Sequence, residues 1–244
     1  MHKYAWLVLS MGLVFSVVGC GDESGSNGSG SGGSAGSGGS GGTAGGGGSG
    51  TTATVTGTVS VEALAGSSNV EGATVGVLGT TTTATSDMNG DFSLESPVGT
   101  VLFLTTAPNT WGELLADDVP AAGLAGLDPQ VLADDVVAEV ASEIGQAIDP
   151  AKGIVVVEFG GEVATGGETA DLGVTYGVAL VFDADENAVL GNTLIAGGDT
   201  VIVFANVDIV ADVMPTATGC SLEFPAAVYP AQAKTITAVD VACP

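Results

Sequence analysis

Between Gly21 and Gly50 the chain is nearly all glycine, serine, alanine and threonine, with Asp22, Glu23 and Asn27 as the polar exceptions. Such a run has no apolar face to bury, and its backbone loses more entropy on ordering than any contact could return. It is expected to be a disordered tether, with a mean end-to-end distance of about 30 Å from the random-coil relation for Gly-rich chains. Folding is therefore confined to the residues from Thr51 onward.

Ahead of the tether stand a short polar head, His2-Lys3, and an apolar stretch from Ala5 to Val18, interrupted by Ser10, Gly12 and Ser16. Crossing a bilayer takes about 20 apolar residues, so this stretch is short for a membrane helix and right for the core of an export signal. It ends in Val17-Val18-Gly19-Cys20. That order is similar to the lipobox of bacterial lipoproteins. The resemblance implies peptidase recognition through Val17, Val18 and Gly19, and cleavage before Cys20. A diacylglycerol thioether and an amide-linked acyl chain such as palmitate would then anchor Cys20. Several acyl chains at about 0.8 kcal/mol per buried methylene hold a protein stably where one would not. The alternative is an ordinary secretory signal with an incidental cysteine. Gly21 rather than aspartate follows Cys20, which in enterobacterial lipoproteins favours the outer membrane. The expectation is a signal peptide over 1–19, a lipidated cysteine and linker over 20–50, and a place in the bacterial cell envelope.

Charge excludes more chemistry than any motif suggests. The formal net charge is −25, from 28 acids against three lysines, with no arginine and one histidine, His2, inside the signal. Nucleic-acid binding needs a basic footprint, and this chain repels phosphate. Ser-His-Asp and Cys-His catalysis lack their base. Histidine zinc sites cannot form, and three cysteines with one lipidated cannot build a four-thiolate site. No cofactor is expected. With Cys20 acylated, Cys220 and Cys243 remain as an even pair in an oxidising compartment, and a disulfide between them is expected.

From Thr54 the text alternates with period two: Val55, Gly57, Val59 and Val61 share one side, and Thr54, Thr56, Thr58 and Ser60 the other. Further strands are expected at Thr74–Leu78, Thr80–Thr85, Asp91–Glu95 and Val101–Thr106, with Asn89-Gly90 turning a tight hairpin. The segments Val55-Thr-Gly-Thr-Val59, Val70-Glu-Gly-Ala-Thr-Val75, Thr85-Ser-Asp-Met-Asn-Gly-Asp-Phe-Ser-Leu94 and Ser96-Pro-Val-Gly-Thr100 together resemble the carboxypeptidase regulatory-like domain. That family is a transthyretin-like sandwich related to the collagen-adhesin B-repeats. The resemblance implies an accessory module, without catalytic residues, that binds or spaces. Adhesin repeats of this type can also form Lys-Asn isopeptide bonds, but residues 51–110 hold no lysine. Asp87-Met88-Asn89-Gly90-Asp91 opens like a calcium loop, yet Phe92 stands where the loop needs glycine and Val98 where it needs its closing glutamate.

Residues 111–150 read as a connector. Glu113–Ala125 is expected to be mostly irregular. Asp128-Pro129 then suggests a helix start, and Leu132, Val136, Val140 and Ile144 recur at four-residue spacing, with Val137 and Ala141 beside them. A helix is expected over about 129–147. Trp111 is a candidate sugar-stacking platform, though a tryptophan plugging the end of a sandwich is the preferred reading.

Gly153–Phe159 opens a second β-rich region, with strands expected at Val174–Phe182, Val189–Ile195, Thr200–Ala205, Val207–Val213, Cys220–Phe224 and Thr235–Cys243. The fold class expected is all-β: two small tandem sandwiches, over 51–110 and 151–244, joined by a connector with one helix. The densest oxygen cluster, Asp183, Asp185 and Asn187, is a candidate calcium site, with a plain acidic turn as the simpler reading.

The function expected is a non-catalytic, membrane-anchored module that binds an envelope or extracellular protein or glycan, or acts as a spacer. A carbohydrate-binding sandwich is the alternative and would need Trp111 or Tyr176 exposed on one face. A glycosidase needs only two carboxylates about 5–9 Å apart. With aromatics at 5% of the chain, sugar subsites would be poorly supplied, so catalysis is the least favoured class.

Overall fold

The computed structural model describes residues 51–160 and 166–244; the expectations for the signal, Cys20 and the tether lie outside them. The alternation after Thr51 becomes strand β1 (Thr52–Thr58), with Ala53 and Val55 buried and Thr52, Thr54 and Thr56 exposed. β1 pairs antiparallel with β6 (Asp91–Pro97) and parallel with β9 (Leu124–Leu127), forming a three-stranded sheet. Its inner side packs Val55, Phe92 and Leu94 against Val75 and Phe103 of β4 (Thr74–Val77) and β7 (Gly99–Thr106). Two sheets facing across an apolar layer make a sandwich.

β1 and β9 come unusually close. A Cβ on Gly57 would fall on the carbonyl oxygen of Leu127 and within 2.9 Å of the Phe92 ring. The β1–β9 register shifts at this point. Overpacking in a closed core costs about 1–3 kcal/mol. Gly57→Ala is expected to sit at or above the top of that range, because the obstacle is backbone. A urea midpoint equal to the parent's would show that β9 can move away.

The second sheet is long and runs β14-β13-β15-β11-β18-β8-β10-β2-β3. In chain order these are β2 (Ser60–Ala63), β3 (Gly66–Asn69), β8 (Thr110–Val119), β10 (Gln130–Ala133), β11 (Gly153–Gly160), β13 (Val178–Phe182), β14 (Ala188–Leu190), β15 (Val201–Val207) and β18 (Thr235–Ala242). β8 pairs antiparallel with β7, from Gly99↔Val119 to Thr105↔Glu113. It also pairs in parallel with β18, from Thr235↔Gly112 to Thr237↔Leu114. The sheet thus crosses both boundaries expected at 110/111 and 150/151, and residues 111–150 supply two of its inner strands, β8 and β10.

Two further expectations change for the same reason. The helix, α1, spans Asp134–Glu143 rather than 129–147, because Gln130–Ala133 is taken into the sheet between β2 and β8. Asp134 and Asp135 occupy its first turn, where the helix dipole favours acids, and Gly145 at φ 66° ends it. Asn89-Gly90 does make a tight turn, with Gly90 at φ 82°. The strands it joins are not a hairpin, however: β5 (Thr83–Thr85) pairs with β4, and β6 pairs with β1.

In the second half, both faces of the sheet are buried. Ile154, Val156, Leu180, Phe182, Val203 and Ile236 lie under α1, with its Val136, Val137 and Val140. Val155, Phe159, Phe204 and Val239 face the other way, against Leu172, Leu194, Val213 and Tyr229. The strand expected at Val207–Val213 is a loop after β15, tied down by a bridge between Val210 and Ala231 and by the Asp208 and Val213 amides, which donate to the Thr175 and Tyr229 carbonyls. The two lysines among the described residues are both paired: Lys152 to Asp208 at 2.7 Å and Lys234 to Asp134 at 2.9 Å.

Candidate functional site: a polar cleft at the sheet crossing

The chain passes from the three-stranded sheet to the long sheet twice at one place. β1 runs into β2 through Val59, and β9 runs into β10 through Asp128-Pro129. The two crossings lie side by side, with the Ser60 amide donating to the Pro129 carbonyl at 3.1 Å. β2 and β10 then run parallel, with Gln130 opposite Ser60 and Leu132 opposite Glu62. The β2–β3 pairing adds Asn69 opposite Ser60 and Ser67 opposite Glu62. Period two puts Ser60, Glu62, Ser67, Asn69 and Gln130 on one face.

That face opens into a cleft of about 510 Å³, lined by Thr58, Ser60, Glu62, Asn69, Asp128 and Gln130 among others. No aromatic ring lines it. A second cavity, under α1, is apolar and about 40 Å³, close to the volume of one water molecule.

The floor of the cleft is a hydrogen-bonded relay. The Gln130 backbone amide donates to Glu113 Oε2 at 2.6 Å, and its Nε2 donates to Glu62 Oε1 at 2.8 Å. Glu62, Glu113 and Gln130 are only 3%, 3% and 6% exposed. Burial pushes the Glu113 carboxyl up to about 8, with the Asp128 and Asp240 charges adding to the rise and the Gln130 amide opposing it. Glu113 is therefore largely protonated at neutral pH, but it stands behind Gln130 rather than in the cleft. Glu62 and Asp128 are the carboxyl groups that a ligand would meet. Partial desolvation raises Asp128 as well.

A second group of acids forms where β8 leaves β18 and β17 (Ser221–Leu222) takes its place. Glu158 stands directly opposite Asp240, and the Glu223 amide donates to the Asp240 carbonyl at 2.9 Å. Burial drives Glu158 well above the usual carboxylate range and Asp240 to about 6, each pushed further by neighbouring acids. Glu158 Oε1 is shut off from solvent without a hydrogen-bond partner. Among the described residues, no group of three or more His, Cys, Asp or Glu side chains is placed to hold a metal.

The residues singled out in the sequence fall elsewhere. Asp183 Oδ1 accepts the backbone amides of Asp185 and Asn187, both at 2.9 Å, and Asn187 Nδ2 at 3.1 Å. These bonds, the Asn187 amide first, hold its carboxyl below the usual range. Asp183 Oδ1 thus holds the turn that its own segment makes. Asp87 does the same for Asn89 and Asp91, at 2.7 and 3.0 Å.

Trp111 is 3% exposed and packs under α1 with Leu132 and Val136. It plugs the core beneath the helix rather than the end of a sandwich. Tyr176 lies on the opposite face of the sheet, edge-on to Phe204 with ring centres 4.8 Å apart. Trp111 is therefore closed to a sugar ring, whereas Tyr176 is only half-buried. The disulfide does form, joining Cys220 and Cys243 with Cα atoms 4.3 Å apart. No sequence motif singles out Glu62, Glu113 or Gln130, and Asp128 stands out only as an expected helix start. The available signal is a lone acid inside an apolar strand, as in Trp111-Gly-Glu-Leu-Leu115 and Val61-Glu-Ala-Leu64.

Neither a protein-family model nor a curated protein matches the chain. Among solved structures it is similar, over 37% of its length and at 21% identity, to 73% of a chain in a type II cohesin-X-dockerin complex from Acetivibrio cellulolyticus, with a TM-score of 0.28. It is similar at 11% identity to the TIE protein of Bacillus anthracis, with 78% of this chain matching 34% of that one and a TM-score of 0.27. A third similarity is to the minor pilin of Streptococcus agalactiae, also at 11% identity. There 79% of this chain matches 96% of that one, with a TM-score of 0.20.

Proposed function

We propose that the protein is a non-catalytic binding or spacer module, held on the bacterial envelope through a lipidated Cys20 and carried clear of the membrane by the Gly/Ser tether. The observation that carries this reading is the order of parts: Val17-Val18-Gly19-Cys20, then thirty residues with nothing to bury, then a folded β unit. A tether of this composition lets the folded part reorient while it remains attached. The regulatory-like resemblance of residues 55–100 supports an accessory role. So does the position of Glu113, which is 3% exposed, accepts the Gln130 backbone amide and does not line the cleft. Placement in the outer membrane rests on Gly21 after the anchor.

The test is fractionation. Cys20→Ala is expected to move the protein quantitatively from the membrane to the soluble fraction, with its far-ultraviolet dichroism and melting temperature unchanged. Membrane association equal to the parent's would overturn the anchor.

A further inference from the structure

We propose that the cleft at the sheet crossing is a socket for a cationic side chain, a lysine or arginine, presented by a basic partner protein. The proposal rests on the binding-module reading above and names the chemistry of the partner.

Glu62 is 3% exposed and lines the cleft. Its Oε1 is fixed by Gln130 Nε2, a neutral donor, and neither Lys152 nor Lys234 pairs with it. Asp128 stands at the rim of the same cleft, and Ser60 and Asn69 add hydroxyl and amide groups. A buried carboxyl group that faces an open cleft and meets no cation among the described residues is the arrangement that an ammonium or guanidinium completes. The folded unit cannot supply that cation to itself. It has no arginine, and Lys152 and Lys234 are already bonded to Asp208 and Asp134. A formal charge of −25 also attracts a basic partner over a distance and turns away an acidic one. A neutral saccharide fits less well, because the lining offers no ring to stack on. Guanidinium has the further advantage of a planar fork that meets carboxylates two bonds at a time.

The full chain would be titrated with the tripeptide Gly-Arg-Gly, with its citrulline counterpart, and with maltotriose, while backbone amide shifts are followed by NMR. Arginine peptide is expected to move the Ser60, Glu62, Asn69 and Gln130 amides, and to bind at least tenfold more tightly than the citrulline peptide. Its affinity should fall as salt is raised. Glu62→Gln keeps an acceptor for Gln130 Nε2, so it should preserve the fold while weakening arginine binding at least tenfold. Asp128→Asn, at the rim, gives a second variant should the first unfold. Equal binding of arginine and citrulline, binding indifferent to both substitutions, or a preference for maltotriose would each overturn the socket. None of those outcomes touches Cys20-dependent fractionation, so the socket and the anchored-module reading fail separately.

Discussion

Replacing Glu113 by glutamine is expected to stabilise the protein at pH 8 and to reduce the pH dependence of its stability. Glu113 is an acid whose folded-state proton affinity is raised, from 4.5 to about 8, chiefly by burial. Between those values the folded protein holds a proton that the unfolded chain has released. The favourable contribution is therefore fully present below about pH 4.5, is lost as pH rises toward 8, and stays lost above it. At about 1.4 kcal/mol per pK unit, the whole window corresponds to on the order of 5 kcal/mol, a large part of a domain's net stability.

Glutamine leaves this window empty because it does not ionise. Its side-chain oxygen can still accept the Gln130 amide that Glu113 Oε2 accepts at 2.6 Å, so the floor of the cleft keeps its bond. Some slope should survive in the variant. Asp240, raised to about 6, and Glu158, driven well above the usual carboxylate range by burial, lose stability with rising pH in the same direction. Urea unfolding of both proteins at pH 5 and pH 8 measures the effect. Parent stability that is flat between the two, or an unchanged slope in Glu113→Gln, would mean that Glu113 finds solvent or a counter-charge in solution.

Glu113 also shows where sequence reading reaches its limit. β1 is legible because one face of it is wet: Thr52, Thr54 and Thr56 alternate with Ala53 and Val55. β8 is not, because Trp111 and Glu113 on one side and Leu114 and Ala116 on the other are all buried, which erases the polar half of the alternation. A strand buried on both faces has no period to read. The start of α1 fails for a different reason. Gln130–Ala133 suits a helix locally but is claimed by partners far away in sequence, Ser60–Glu62 and Thr110-Trp111. The cleft inherits both difficulties, since Glu62 and Gln130 are 68 residues apart and meet only through a parallel pairing. Turn chemistry and cysteine parity are local or countable, and they identify Asn89-Gly90 and Cys220–Cys243 correctly. Which strands the Asn89-Gly90 turn connects is a long-range matter, and local turn chemistry misplaces it.

The Cys220–Cys243 bond should be worth roughly 3 kcal/mol, and its removal should be felt at one place first. Loop-closure entropy for a separation of 23 residues gives that size. The bond joins the residue just before β17 to the residue just after β18, and β17 is a strand of only two residues. A two-residue strand supplies too little pairing to hold itself. Leu222 and Phe224 add only partly buried contacts. With Cys220→Ser and Cys243→Ser together, β17 is expected to fray from β18. Amide exchange should then accelerate at Glu223 and residue 243, whose bonds to Asp240 and Gly160 close this corner. Exchange in β1 and β6, in the other half of the chain, should not change by more than the overall loss of stability requires. Opening the corner also lets water reach Asp240 and Glu158, so part of the destabilisation should be recovered at high pH as their carboxyls return toward ordinary values. A double variant with the parent's urea midpoint, or one whose exchange speeds up evenly throughout the sheet, would show that packing alone holds β17 in place.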